Sequence, residues 1–254
     1  MSSTPHTAIF DPDALYSQAS RENFPVASRL LPAAVRTDLM AIYGFARLTD
    51  DIGDELAGDR SQALEWLADE LERAPSGGAT HPVMRRVGET ITSRHLSLGH
   101  FRNLIEANRM DQVVRRYETF DDLLAYCALS ANPVGRLVLE VLDQSTDERC
   151  ALSDDVCSGL QVAEHLQDVG EDVAQDRIYL PLADLRAEGV EVADPAALTA
   201  ALAAAHAGPE LRRVVALEAA RARRLLFSGV PLAASLPWRT RLAVGAFAAG
   251  GMAA

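Results

Sequence analysis

Asp50 and Asp54 stand four residues apart in the segment YGFARLTDDIGDE, a spacing that stacks two carboxylates one above the other on a single helical face. Asp51 lies beside them. Like charges at this spacing destabilise a helix by roughly 0.2–0.5 kcal/mol unless something compensates them. A hard divalent cation does so naturally, because Mg²⁺ takes carboxylate oxygens together with the oxygens of a bound phosphate. A second segment, LQVAEHLQDVGEDVAQDRIYLP, repeats the theme. Gln161, Glu164, Asp168, Asp172 and Gln175 follow at intervals of three or four and form one polar stripe, while Leu160, Ala163, Leu166, Val169 and Val173 occupy the other side. Either segment alone also describes a solvated acidic helix. Two aspartate pairs far apart in the chain, facing one another across a bundle, would form a cradle for Mg²⁺ and a diphosphate.

A departing diphosphate needs its growing negative charge neutralised, which metal ions and guanidinium groups do without proton transfer. Arg47 precedes Asp50 by about one turn, and Arg177 and Tyr179 follow the second stripe. Arg109, Arg115 and Arg116 read as an ordinary charged helix surface. A zinc hydrolase is a poor fit, since His81, His95, His100 and His165 show no metal-binding HExxH spacing. No glycine-rich dinucleotide loop is present.

The elements that must position these residues are helices. Apolar residues recur at helical spacing almost throughout the 254 residues, and alternating strand-like runs are scarce. The pattern predicts helices near 11–21, 33–57, 61–73, 82–93, 98–116, 120–143, 153–175, 195–206, 209–227 and 238–250, with Pro133 kinking the sixth. The fold class is therefore all-α, with one domain over residues 1–254 and a disordered stretch at 1–10. A net charge of −12 argues against nucleic acid, whose phosphates demand clustered Lys and Arg. Cys127, Cys150 and Cys157 fit neither a disulfide framework nor a zinc site. The N-terminus lacks a basic region followed by an apolar run, and no apolar stretch reaches the roughly 18–20 residues of a membrane span. A cytoplasmic protein, in contact at most with a membrane surface, is the expectation.

At the two aspartate segments the chain resembles the squalene/phytoene synthase family, the head-to-head prenyl diphosphate synthases. The resemblance runs from about Glu22 to Leu185 and more weakly to Gly251, and YCALSANPVGRLVL at Tyr126 to Leu139 is similar to the family's kinked cavity-lining helix. It implies an isoprenoid-synthase helical bundle around an apolar tunnel, with diphosphate and Mg²⁺ at its mouth. Asp50, Asp54, Asp168 and Asp172 would hold metal, with Glu164 as a further ligand. Arg47 and Arg177 would contact diphosphate. Tyr126 and Tyr179 would lie near the reacting centre, Phe24 in a flap, and Phe45, Leu129, Ala131, Val134 and Leu137 along the tunnel.

Within the family, ENFPVASRLLP and the pairing of SANPVGR with Gln167 before Asp168 resemble the hopanoid branch that makes hydroxysqualene. Two positions depart from many relatives: Glu164 stands where they carry Asn, and Gln167 where they carry Arg. The usual terminal helix also looks shortened. The resemblance implies ionisation of presqualene diphosphate and capture of the cation by water, which Gln167 or Glu164 would orient. Two alternatives remain: condensation of two prenyl diphosphates to presqualene diphosphate, squalene or phytoene, and a non-catalytic homologue that binds a partner synthase or a membrane.

Overall fold

The computed structural model describes residues 31–204, 207–238, 240 and 241, and among them every regular element is helical. The chain order is α1 (Ala33–Asp54), α2 (Arg60–Arg73), a 3₁₀ turn (Ala74–Ser76), α3 (Pro82–Arg94), α4 (Leu98–Val113), α5 (Phe120–Ser130), α6 (Asn132–Val141), α7 (Asp147–Gln167), α8 (Val169–Ala174), α9 (Leu182–Ala187), α10 (Pro195–Leu202) and α11 (Pro209–Ser235). The helix expected at 11–21, the disordered stretch at 1–10 and the flap residue Phe24 lie outside the described residues, as does most of the helix expected at 238–250.

The largest core cluster joins α1, α2, α3, α4 and α6. Phe45, Leu48 and Ile52 of α1 meet Leu64, Leu67 and Leu71 of α2, Met84 and Val87 of α3, Phe101 and Ile105 of α4, and Leu137 and Val141 of α6. Burial of side chains this size contributes roughly 1.5–3 kcal/mol each. Phe45 packs edge-on against Phe101 with ring centroids 5.0 Å apart, so it belongs to this core. Between α2 and α3 the chain turns over Glu70, a fully buried carboxylate. It accepts the backbone N–H groups of Thr80 and His81 at 2.7 and 2.8 Å and a guanidinium N–H of Arg73 at 2.8 Å. Burial disfavours its charge, but these donors prevail and hold its pKa below the ordinary value.

The kink expected at Pro133 is a full break: α5 ends at Ser130 and α6 restarts at Asn132, with Pro133 in its first turn, where its missing N–H is tolerated. α7 and α11 are the most extensively packed pair, and two glycines permit their approach. A Cβ on Gly159 would sit 2.9 Å from Leu226 Cγ and 3.0 Å from the Ala222 carbonyl; one on Gly229 would overlap Val156 and sit 2.9 Å from the Leu152 carbonyl. α11 runs on past the expected end at 227 and through Pro231 to Ser235. α4 stops at Val113, short of the expected 116, because the backbone becomes extended at Val114 and residues 115–118 pair with the segment after α8. Ile178 N–H donates to the Arg115 carbonyl at 2.9 Å, and Leu182 N–H to the Tyr117 carbonyl at 3.0 Å.

Candidate active site

α1 turns Asp50 and Asp54 toward α4 and the 177–182 strap. Asn108 on α4 donates its side-chain amide to Asp50 Oδ1 at 3.2 Å. This contact explains Gly53, since any Cβ there would overlap the Asn108 side chain. Gln112, one turn on, donates to the Gly53 carbonyl at 3.2 Å. Asp50 is exposed at the surface, while the protein packed around its carboxyl still displaces much of its hydration. That enclosure, opposed by the Asn108 hydrogen bond and reinforced by the charge of Asp54, pushes its carboxyl up to about 7. Asp54 receives Arg177 at 2.6 Å. A residue near the end of the second aspartate segment thus reaches a carboxylate of the first, 123 positions away.

Arg177 is buried, and its place is set by the strap. Asp176 takes a left-handed conformation (φ 60°), and Arg116 bonds both its carboxylate and its carbonyl. Burial lowers the pKa of Arg177, but the hydrogen bond and charge of Asp54 outweigh it, so the guanidinium stays cationic. Arg47 pairs with Asp51 at 2.6 Å and Glu55 at 2.9 Å along its own helix.

The second segment is not the single helix expected at 153–175. α7 begins earlier, at Asp147, and ends at Gln167; Asp168 occupies the junction with φ −99° and ψ 10°, and α8 begins at Val169. Asp168 and Asp172 are half-buried, whereas Glu164 and Gln167 are exposed. His165 lies inward: it stacks on Tyr179 with ring centroids 3.7 Å apart, contacts Gln161 at 3.2 Å and sits 3.8 Å from Asp172 Oδ2.

Behind these groups lies a buried aromatic cluster built on Asp111 of α4. Its two carboxylate oxygens accept the hydroxyls of Tyr126 at 2.7 Å and Tyr179 at 3.1 Å. Tyr117 stacks on Tyr179 at 5.6 Å and tilts against Tyr126 at 5.4 Å. Burial raises the pKa of Asp111, against the opposing pull of Tyr126, Arg177 and Tyr179. Burial first, and then the charge of Asp111, raises both Tyr126 and Tyr179, so these phenols stay protonated donors.

Of the residues singled out in the sequence, the fold brings Asp54 to Arg177 and Tyr126 to Tyr179, the latter through Asp111. Leu129, Ala131 and Val134 are half-buried around the α5–α6 break, and Leu137 is core. Asn108, Asp111, Gln112, Tyr117 and His165 escaped sequence reasoning as site residues. A polar run on one face of α4 (Asn108, Asp111, Gln112) is a signal that could have found three of them. Burial pushes the Cys127 thiol up to about 12 and the Cys157 thiol up to about 11, so neither of these two is a ready nucleophile.

The carboxylates of Asp50, Asp54, Asp168 and Asp172 offer oxygen donors, which suit Mg²⁺. Asp172 presents a buried Oδ2 that has no hydrogen-bond donor. Among the described residues no three His, Cys, Asp or Glu side chains stand together as a ready-made cage. Mg²⁺ is commonly held by one or two carboxylates plus substrate phosphates, so separated aspartate pairs fit such an ion.

Comparison with known proteins places this arrangement. Residues 17–254 match the squalene/phytoene synthase family model. The chain belongs to this family. Among its relatives, a hydroxysqualene synthase of Rhodopseudomonas palustris is 39% identical over 217 residues, covering 85% of this chain and 71% of that protein. A hydroxysqualene synthase of Zymomonas mobilis is 36% identical, covering 81% and 67%. The squalene synthase HpnC of Alicyclobacillus acidocaldarius superposes with a TM-score of 0.83 at 40% identity, covering 95% of this chain and 92% of that one. The squalene/phytoene synthase fold is all-α here as in that structure.

Proposed function

We propose that this squalene/phytoene synthase-family chain converts presqualene diphosphate and water to hydroxysqualene and diphosphate. The observation that carries the reading is the Asp54–Arg177 pair, which ties the two aspartate segments together at the edge of the Asp111–Tyr126–Tyr179 cluster. The hydroxysqualene synthases among the relatives support the choice of reaction.

Asp50, Asp54, Asp168 and Asp172 would hold Mg²⁺, which when bound supplies charge neutralisation for the diphosphate. Arg177, kept cationic, donates to diphosphate oxygens as the C–O bond breaks with its electron pair. The carbon skeleton lies against Tyr126, Tyr179 and the half-buried apolar residues Leu129, Ala131 and Val134, which exclude bulk water. The rearranged cation is then captured by one water, its oxygen forming the new C–O bond and its proton passing to solvent or diphosphate. Gln167, exposed beside Asp168, is the amide we assign to orient that water, with Glu164 one turn earlier.

Purified protein incubated with Mg²⁺ and presqualene diphosphate should yield hydroxysqualene by mass spectrometry, and Asp54→Asn should abolish it. Turnover of farnesyl diphosphate alone would instead establish condensation. Product formation unchanged by Asp50→Asn and Asp168→Asn in a reconstituted pathway would establish a non-catalytic homologue.

A further inference from the structure

α11 has two opposed faces. Leu211, Val214, Ala222, Leu226, Gly229 and Leu232 are buried. At 100° per residue, Arg212, Ala216, Arg223, Phe227, Val230 and Ala234 fall on the opposite side, all exposed. Phe227 is 52% exposed, Val230 44%, and Trp238, just past the helix end, 63%. Phe227 and Val230, three residues apart, are neighbours on this outer face, and the Trp238 indole is exposed beyond the helix end.

The charge on this face runs against that of the molecule. The chain carries a net −12, yet between Leu211 and Arg241 the one acidic residue is Glu218, which is 1% exposed. Among the described residues the exposed charges there are Arg212, Arg213, Arg223, Arg224 and Arg241. Arg213 pairs with Glu188. Among the described residues, Arg212, Arg223 and Arg224 have no carboxylate partner, and the Arg223 guanidinium lies over the Phe227 ring at 5.3 Å. The partner that complements these groups is anionic and able to receive apolar tips. Two-fold association of this chain through the face would bring two surfaces of the same positive sign together, which opposes self-association.

We propose that the outer face of α11 and the following turn dock on an anionic lipid bilayer, with Phe227, Val230 and Trp238 entering the interface and Arg223 and Arg224 engaging lipid phosphates. Basic residues at an anionic leaflet each contribute about five-fold to partitioning, and docked apolar side chains add to this. The site described above uses none of these residues, so the docking stands whichever prenyl substrate is turned over.

The test is co-sedimentation of the full chain with vesicles of phosphatidylcholine alone or mixed with phosphatidylglycerol. Partitioning should be at least about ten-fold greater on the phosphatidylglycerol vesicles, and fall in high salt. Arg223→Glu/Arg224→Glu and Phe227→Ser/Val230→Ser should each lose about ten-fold or more, with unchanged circular dichroism because all four positions are exposed. Arg85→Glu, the same kind of charge change on exposed α3, should bind as the parent does. The proposal is overturned if the parent binds neither vesicle, if the face variants bind like the parent, or if Arg85→Glu loses as much as they do. It is equally overturned if sedimentation shows an oligomer that Phe227→Ser/Val230→Ser dissociates, which would make the face a contact between copies.

Discussion

Asp50 illustrates how one carboxylate depends on a glycine. The Asn108 amide reaches Asp50 across α1 only because Gly53 has no Cβ. In Gly53→Ala the obstacle is the movable end of a side chain, so Asn108 can rotate away and stability should fall by only about 1 kcal/mol or less. Activity should fall with the lost hydrogen bond to Asp50. Asn108→Ala in the same background should restore stability but not turnover, as thermal melts and steady-state kinetics would read. Asp111 makes a different claim, because it satisfies two buried phenols at once. Asp111→Leu leaves both without an acceptor, a loss of about 2–5 kcal/mol. A double-mutant cycle with Tyr126→Phe in denaturant titrations should give a coupling of at least about 1 kcal/mol. Asp50 and Asp54 could be singled out from their spacing alone. Asp111 shows in the sequence only as part of a polar face on α4; its role does not, since that rests on Tyr126 and Tyr179, which lie on other elements.

The elements were foreseen wherever apolar periodicity was uninterrupted, as in α2 and α3, whose expected spans differ from the observed ones by a residue. They were misjudged where tertiary pairing overrides local preference. Residues 115–118 leave the helix to hydrogen-bond the 177–182 strap, which shortens α4 and fixes Arg177 and Tyr179. α9 was missed because Leu182–Ala187 is only six residues long, too short for a periodic signal. The contact of α7 with α11 carries a prediction of its own. Alanine for glycine in an isolated helix gains roughly 1 kcal/mol from propensity. At Gly229, however, the added Cβ meets the Leu152 backbone carbonyl, which cannot yield without moving α7. Gly229→Ala should therefore destabilise by a net ~1–3 kcal/mol, seen as a lower midpoint in urea.

At the scale of the whole molecule, Glu218 links stability to pH. It is buried beside Arg221, which also pairs with Asp184, and desolvation, partly offset by Arg221, pushes its carboxyl up to about 7 from an ordinary 4.5. A carboxyl that binds its proton more tightly when folded stabilises the fold most below its unfolded pKa, and that contribution disappears as pH rises through about 7. Between pH 5 and 8 the parent should lose up to about 3 kcal/mol relative to Glu218→Gln, measured as the difference between their denaturation curves. No helix among the described residues is long and apolar enough to cross a membrane. The sequence by itself determined the all-α class, the two aspartate segments and the family, because helical periodicity and four-residue spacing are local properties. Only the tertiary structure decided which partners those aspartates have. It gave Asp50 to Asn108 and Asp54 to Arg177, and turned His165 inward while Glu164 and Gln167 stayed outside. Each of those outcomes depends on how distant segments pack, and side-chain spacing within one segment carries no record of what packs against it.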